Sequence, residues 1–241
     1  MKKRQKVRNG LMLFWFLLFP ITIFYFSPVL IIQGAFNGIL VGSAIVFIVQ
    51  FISAIFFGRL FCGWVCPAGG LQDVCLTVND KKAPNKLNWI RYTIWIPWIG
   101  IIVWGFLNAG TIKTNFLYQI ENGISIDQPL KYIVYFFFVF LIVALSYFTG
   151  KRSFCHYVCW MSPFMIFGEY TAKFLHIPYL KLATKSSDCK ACGKCSKSCP
   201  MSLDVQQLVL ASNAIRHSEC ILCGRCANGC TLKVITYKFM R

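Results

Sequence analysis

The stretch FCGWVCPAGG, residues 61–70, follows a long apolar run and holds two cysteines four positions apart. A second stretch, FCHYVCW at residues 154–160, has the same cysteine spacing. Identical residues lie 93 positions apart in the pairs Cys62 and Cys155, Cys66 and Cys159, Arg59 and Arg152, and Phe61 and Phe154. Each copy closes an apolar helical hairpin, so the sequence predicts a four-helix core built from a pseudo-twofold hairpin repeat.

Four uncharged apolar runs reach the roughly 17–25 residues that a membrane-spanning helix needs. They cover residues 11–32, 35–58, 92–110 and 132–150. Only 14% of the 241 residues are charged, whereas a soluble domain has about a quarter. The composition therefore excludes an ordinary soluble domain and predicts an all-α integral membrane domain over residues 1–180.

The basic residues are placed asymmetrically. The formal net charge is +17, and only Lys113 and Lys131, of 25 basic residues, fall on the side that lacks the CxxxC motifs. This asymmetry predicts a bacterial or archaeal inner membrane protein with both termini in the cytoplasm. Since the basic residues flank apolar runs and do not form a groove-lining patch, membrane lipid is the predicted partner and nucleic acid is excluded.

Residues 162–178 predict a helix at the membrane interface. Ser162 is a predicted N-cap, and Glu169, Lys173 and His176 share one helical face. From residue 181 the composition becomes polar, which predicts a separate cytoplasmic domain over residues 181–241.

This C-terminal segment has two cysteine motifs, CKACGKCSKSCP at residues 189–200 and CILCGRCANGC at residues 220–230. Their C-x2-C-x2-C-x3-C spacing is typical of an α+β bacterial-type ferredoxin domain with two [4Fe–4S] clusters, in which the fourth cysteine of each motif reaches the other cluster. The predicted ligands are Cys189, Cys192, Cys195 and Cys230 for cluster 1, and Cys220, Cys223, Cys226 and Cys199 for cluster 2. Four-cysteine zinc sites need two separated pairs, which this pattern lacks.

The CxxxC cysteines form a tetrad with three open interpretations. Cys62, Cys66, Cys155 and Cys159 could hold a third metal centre, iron–sulfur or another thiophilic metal. They could instead be redox-active dithiols, or they could be small buried residues that only pack. The neighbouring Arg59 and Arg152 could bind lipid headgroups, offset thiolate charge, or snorkel to the interface.

Taken together, the FCGWVCP motif, its FCHYVCW counterpart, the apolar runs and the two-cubane segment resemble the NapH-type membrane ferredoxins. These are related to the membrane half of NosR and to the CcoG/FixG copper reductases. The resemblance covers nearly the whole chain, and it implies membrane-bound electron transfer with quinol or a partner oxidoreductase. Trp160 stands where many relatives have proline, which points to a distinct subfamily.

The leading hypothesis is therefore an electron-transfer subunit that works with other redox protein subunits and with a quinone as a further cofactor. His156, Tyr157, Lys173 and His176 could hydrogen-bond a quinone carbonyl or serve as polar anchors at the interface. The alternative is a metal reductase or assembly factor, or a redox accessory subunit of a membrane transporter complex.

Overall fold

The computed structural model describes residues 3–120 and 123–241. The charged residues Lys2 and Glu121 lie outside this part of the chain. The described chain is mostly helical up to residue 178 and ends in a small mixed domain that contains a β-sheet.

The first part of the chain contains the helices that precede the cysteine-rich domain. In chain order they are α1 (Lys3–Leu17), α2 (Phe19–Thr22), α3 (Pro28–Phe36), α4 (Gly42–Phe57), α5 (Leu60–Trp64), α6 (Pro67–Cys75), α7 (Ile90–Ala109), α8 (Lys131–Thr149), α9 (Ser153–Tyr157) and α10 (Met161–Phe174). The short strands β1 (Ile39–Val41) and β2 (Lys113–Asn115) pair in parallel between them.

Helices α7 and α8 are long and apolar enough to cross a membrane, with 20 and 19 residues and mean hydropathies of 1.5 and 2.2. Large apolar side chains on both helices face outward, among them Leu107 and Phe148, because few neighbouring helices cover them. An outward-facing apolar surface of this kind indicates membrane association. The predicted helices at residues 92–110 and 132–150 are thus confirmed within one or two residues.

The apolar run at residues 11–32, predicted as one span, is divided into separate helical segments in the structure. Helix α1 ends at Leu17, and the segment Phe19–Phe26 continues at an angle of 59°. Ser27 then has an extended backbone, and its hydroxyl accepts a hydrogen bond from the Leu30 amide at the start of α3. Pro20 and Pro28 cause both restarts, since a proline lacks the amide proton that a helix interior needs but fits a first turn.

The predicted helix at residues 35–58 is shorter than expected. Its helical part, α4, has 16 residues. Gly38 adopts a left-handed conformation, with a φ of 65°, where a side chain would collide with the Thr111 carbonyl. The chain therefore turns into β1 before α4 begins. Among the described residues, two helices can cross a membrane by length and composition, or three if α1 and its bent continuation form one span.

The predicted helix at residues 162–178 forms as α10, which ends earlier, at Phe174. Ser162 lies inside this helix and not at its N-cap, and its hydroxyl accepts hydrogen bonds from Arg59 and Arg91. The helix packs closely on α4, where Gly168 leaves room for Ala54 and the Phe51 carbonyl. One side of α10 is thus covered by protein.

The carboxy-terminal domain has a three-stranded antiparallel sheet in the order β4-β3-β5. Its elements are β3 (Tyr179–Thr184), α11 (Lys194–Lys197), α12 (Val205–Ala211), β4 (Ala214–Ile215), α13 (Arg225–Gly229) and β5 (Ile235–Met240). Strand β3 pairs with β5 from Tyr179 opposite Met240 to Thr184 opposite Ile235. This α+β arrangement places Cys195 on α11 and Cys226 on α13, and the other motif cysteines in the loops that flank these two helices.

Candidate iron–sulfur sites

The first set of four cysteines, here called the outer quartet, surrounds one cavity. Its members are Cys189, Cys192, Cys195 and Cys230. Gly193 has a φ of 74° at the start of α11, which lets the loop fold back on itself between its second and third cysteines. Cys230 arrives from the other motif, at the end of α13. The structure therefore brings together the four residues predicted for cluster 1.

The second set, here called the inner quartet, surrounds a separate cavity. Its members are Cys199, Cys220, Cys223 and Cys226. Gly224 has a φ of 68° at the position equivalent to Gly193, and a side chain there would collide with the Tyr237 hydroxyl. The Tyr237 hydroxyl donates a hydrogen bond to the Leu222 carbonyl at 2.6 Å. These are the four residues predicted for cluster 2.

The donor sets fit [4Fe–4S] clusters. Each cavity is lined by three cysteines of one motif and the last cysteine of the other, which is the crossed ligation of two-cluster ferredoxins. Burial raises the pKa of the Cys199 thiol to about 11 and also raises the pKa of Cys226. Since iron binds thiolates, cluster insertion must displace the protons of these thiols.

The two quartets differ in exposure. In the outer quartet Cys192 is exposed and Cys189 and Cys195 are half-buried. In the inner quartet Cys223 and Cys226 are buried. The cavity of the inner quartet is lined by the C-terminal domain, and its loop packs against residues of the first part of the chain.

Three contacts hold the inner loop against the first part of the chain. The Gln5 side chain on α1 donates to the Cys223 carbonyl at 2.9 Å, and the Trp64 indole donates to the Leu222 carbonyl at 3.0 Å. Gly63 lies so close to the Ile221 carbonyl that no side chain fits there. The first CxxxC motif therefore touches the loop of the inner quartet directly.

A buried ion cluster joins the same two parts of the chain. Glu219, just before the inner quartet, pairs with Arg59 at 3.0 Å and with Arg91. Burial alone would raise the pKa of Glu219, but the two guanidinium groups outweigh it and lower that pKa to about 2. Glu219 is therefore ionised, and it offsets part of the buried positive charge.

A second buried carboxylate, Asp73, pairs with three arginines. Arg8 and Arg152 are fully buried, and Arg225 from the inner loop is partly exposed. Burial would raise the pKa of Asp73, but the three arginines lower it below its ordinary value. The prediction that Arg59 and Arg152 reach lipid headgroups or snorkel is wrong, because both side chains are buried in ion pairs inside the protein.

All members of the CxxxC tetrad are buried: Cys62, Cys66, Cys155 and Cys159 are each 5–7% exposed. The two motifs share their local structure. The amides of Val65 and Cys66 both donate to the Phe61 carbonyl, and those of Val158 and Cys159 both donate to the Phe154 carbonyl. The repeat seen in the sequence is thus also present in the backbone hydrogen bonds of the two motifs.

The tetrad thiols lie close enough to influence one another. Burial raises the pKa of Cys66, and the charges of Cys62, Cys155 and Cys159 raise it further. Burial, followed by Cys155 and Cys62, raises the pKa of Cys159 to about 12. None of the thirteen cysteines, all of which lie in the described residues, forms a disulfide. Across residues 3–120 and 123–241, no three His, Cys, Asp or Glu side chains are grouped so as to hold a single metal ion.

Gln72 on α6 is a site residue that the sequence analysis missed. Its side chain is fully buried, its amide nitrogen donates to the Cys155 sulfur at 3.1 Å, and its amide oxygen lies 3.4 Å from the Cys155 backbone nitrogen. No pattern in the sequence identifies it, because the contact joins positions 83 residues apart and glutamine is common at helix surfaces.

An apolar cavity lies next to the tetrad. Cys66 and Cys159 line it, together with Phe138 on α8, Phe154 and Trp160. None of the four residues proposed to bind a quinone lines this cavity. Instead, Tyr157 donates to the Pro84 carbonyl, and Lys173 pairs with Glu169 on its own helix.

The cysteine-lined cavities and the mixed α+β domain define a protein of the iron–sulfur, ferredoxin type, and comparisons with known proteins agree. A family described as a 4Fe-4S binding domain matches residues 39–80 and 132–177. A second family, described as a 4Fe-4S dicluster domain, matches residues 181–231. The first family thus matches twice, once around each CxxxC motif, and the second covers all eight cysteines of the two quartets.

Several curated proteins are similar to this chain. An uncharacterised protein of Methanocaldococcus jannaschii is 26% identical over 81% of this chain and 74% of its own length. The methylamine utilization ferredoxin-type protein MauN of Methylobacillus flagellatus is 25% identical over 84% of this chain and 70% of its own length. Protein NirI of Paracoccus denitrificans is 27% identical over 45% of this chain, and the match spans 17% of NirI.

No solved structure matches the chain. The chain carries 4Fe-4S, ferredoxin-type domains, and two helices in its described part are apolar enough to span a membrane.

Proposed function

We propose that this protein is a membrane-anchored electron-transfer subunit of the NapH-type branch. It passes electrons between two [4Fe–4S] clusters and a membrane quinone or a partner oxidoreductase. The observation that carries this proposal is the pair of cysteine quartets around separate cavities, one of them exposed and the other packed against the CxxxC motifs.

The cluster ligands follow from the cavities. The outer quartet holds cluster 1 and the inner quartet holds cluster 2, within a cluster domain at residues 181–241. Each cluster supplies a one-electron carrier when bound. The contacts of Gln5 and Trp64 keep the inner loop against the first part of the chain, so the inner site faces the CxxxC tetrad.

Two buried clusters of side chains support an arrangement in which the sites follow one another along a single electron path. Cys62 and Cys155 belong to the same buried cluster as the inner-quartet residues Cys223 and Cys226. Cys66 and Cys159 belong to the neighbouring cluster and line the apolar cavity. The proposed order is therefore outer quartet, inner quartet, tetrad and apolar cavity.

The apolar cavity is the proposed quinone site. Its aromatic wall of Phe138, Phe154 and Trp160 suits a flat ring with an apolar tail. In a membrane the quinone would approach along α8, which carries Phe138. The tetrad beside it is proposed to hold a third metal centre, with dithiol chemistry and simple packing as the competing roles.

The membrane core is proposed to be a four-helix unit related by a pseudo-twofold axis, with residues 1–180 as the membrane domain. The shared hydrogen bonding of the two CxxxC motifs and the twofold match to one family support it. The sidedness of the basic residues supports a cytoplasmic location for both termini and for the cluster domain. Thiol labelling of the cluster domain from outside intact cells would contradict that location.

The decisive experiment uses the protein purified in lipid nanodiscs. Dithionite-reduced protein is mixed with a soluble quinone analogue, and cluster oxidation is followed by visible absorbance. We expect rapid oxidation in the wild type and slow oxidation in Ala68→Phe, which fills the apolar cavity without touching a cysteine quartet. Equal rates in both proteins would overturn the cavity as the quinone site, and no oxidation by the analogue would overturn quinone use.

Iron counting tests the clusters themselves. Two clusters give about eight irons per chain, and a third cluster in the tetrad gives about twelve. The double variant Cys62→Ser and Cys155→Ser should lose only the additional iron. Unchanged iron content in this variant would refute a third iron–sulfur centre.

A second candidate function is a metal reductase or assembly factor, or a redox accessory subunit of a transporter complex. The buried tetrad next to the inner quartet favours it, since two pairs of thiols beside a cluster site suit dithiol chemistry that passes electrons on to a metal substrate. In that case Cu(II), and not the quinone analogue, would oxidise the reduced clusters.

A further inference from the structure

The outer quartet opens onto a surface that we call the outer rim. It consists of Lys190, Ala191, Cys192, Lys194, Leu232 and Lys233. Lys190, Lys194 and Leu232 line the same cavity as the outer-quartet cysteines, so the rim is the immediate border of that site. All six residues are exposed.

The rim and its flanks are strongly basic. Around the outer quartet, the segments 185–204 and 231–234 carry five lysines and two aspartates. One of these aspartates, Asp204, caps helix α12 and accepts hydrogen bonds from the Gln207 amide and the Ser196 hydroxyl. The rim therefore presents a positive field to an approaching molecule.

The rim also has an apolar centre. Leu232 is 45% exposed at the edge of the outer-quartet cavity, and it lies beside the exposed Thr231 and Lys233. An apolar contact surrounded by charged residues is the usual organisation of a transient protein interface. A purely lipid-facing or solvated lysine cluster does not need the apolar centre.

The outer rim differs from the rest of the cluster domain in how closely a partner protein can approach a cysteine quartet. Cys192 is the exposed cysteine of the two quartets, all of whose members lie in the described part of the chain. The loop of the inner quartet is packed against Gln5, Trp64 and Gly63. A protein that exchanges electrons with the quartets can therefore approach closely at the outer rim.

We propose that the outer rim is the docking surface for an acidic one-electron carrier protein. The inference rests on the proposed function, because it assigns the outer quartet a cluster and a soluble partner. In each encounter one electron leaves the reduced member of the pair and enters the oxidised member, so that one oxidation balances one reduction. The lysines supply orientation and association rate, and Leu232 supplies the apolar contact.

Binding is tested with the oxidised form of an acidic plant-type [2Fe–2S] ferredoxin as the probe, so that no electron moves. The full-length protein is placed in nanodiscs of neutral lipid, and affinity is measured at low and high salt. The test variant is Lys190→Glu with Lys194→Glu. The control is Lys113→Glu with Lys238→Glu, which changes the net charge equally at exposed lysines away from the rim.

We expect the test variant to bind the probe at least about tenfold more weakly than the control at low salt, with the difference shrinking at high salt. Iron content and reduction by dithionite should be unchanged in both. If the two variants bound the probe with equal affinity, or if the affinity of the wild type did not change with salt concentration, the proposal would be overturned. A defect that occurs only in nanodiscs of anionic lipid would also overturn it, since the lysines would then contact lipid headgroups.

This outcome is separable from failure of the proposed function. The absence of cluster iron, or the inability of the quinone analogue to oxidise the clusters, would refute the proposed function while binding of the probe could persist. Loss of selective binding with intact iron and quinone oxidation would refute the docking surface alone.

Discussion

The two cysteine quartets share one spacing but occupy opposite surroundings. The outer quartet borders an exposed basic surface, whereas the inner quartet is covered by α1, α5 and the buried Glu219 cluster. The motif alone does not produce this difference. It arises from residues far away in the chain, and it turns two equivalent cluster motifs into an outer and an inner site.

The largest effect is expected from Glu219→Gln, which tests the anchoring of the inner site. The substitution leaves Arg59 and Arg91 buried without a compensating charge, which costs about 3–5 kcal/mol. We expect the cluster domain to be cleaved readily by a protease at its junction with the first part, and the inner cluster to be lost before the outer one. Limited proteolysis and iron content measure both.

The matched control is Asp204→Asn near the outer quartet. Asp204 is exposed and caps α12, and asparagine is an equally good N-cap. Wild-type stability is expected. If this variant were as sensitive to protease as Glu219→Gln, the buried ion cluster would not be what distinguishes the two sites.

A second comparison uses alanine at the two equivalent glycines. Gly193 and Gly224 both have positive φ, so alanine costs about 1–2 kcal/mol at each. At Gly224 the new methyl group also collides with the Tyr237 hydroxyl, whereas at Gly193 the nearest atom is the Gln206 side-chain oxygen at 3.4 Å. We expect Gly224→Ala to cost roughly 1–3 kcal/mol more than Gly193→Ala.

Chelator-induced loss of clusters measures this difference. Gly224→Ala should release iron from the inner site faster than the wild type, and Gly193→Ala should release it from the outer site with a smaller acceleration. Equal acceleration in the two variants would show that Tyr237 moves aside at no cost.

Sequence reasoning recovered the parts of the molecule that depend on local patterns. The cysteine spacing predicted which four residues share each cavity, and uninterrupted apolar runs predicted α7 and α8. Both patterns are local. A run of apolar residues predicts a helix, and a triplet of closely spaced cysteines predicts a loop around one site.

Prediction from the sequence fails where a contact between residues far apart in the chain decides the structure. Hydropathy identifies the apolar run at residues 11–32, but it does not show that the helices restart at Pro20 and Pro28. Local patterns do not reveal the buried ion pair of Arg59, because its partner, Glu219, is 160 residues away. Gln72 was missed for the same reason.

A smaller effect is expected from Trp64→Phe. The variant removes one hydrogen bond to the Leu222 carbonyl of the inner loop, which costs about 0.5–1.5 kcal/mol. The equivalent residue in the second CxxxC motif is Tyr157, whose hydroxyl donates to the Pro84 carbonyl at 2.9 Å. Tyr157→Phe removes a comparable bond without touching either quartet. We therefore expect both variants to lower the thermal midpoint, and only Trp64→Phe to accelerate iron loss from the inner site.

The smallest effect is expected at the residues that follow the two glycines, Arg225 in the inner loop and Lys194 in the outer loop. Arg225 is partly exposed and shares Asp73 with Arg8 and Arg152, so Arg225→Gln removes one of three partners and costs about 0.2–1 kcal/mol. Lys194 is exposed on the outer rim, so Lys194→Gln should leave the thermal midpoint unchanged and weaken binding of the acidic ferredoxin probe. The same motif position would then serve anchoring in one loop and recognition in the other, because a buried carboxylate faces only the first. If Lys194→Gln destabilised the protein as much as Arg225→Gln, or if Arg225→Gln alone weakened the probe's binding, this division of roles between the two loops would be wrong.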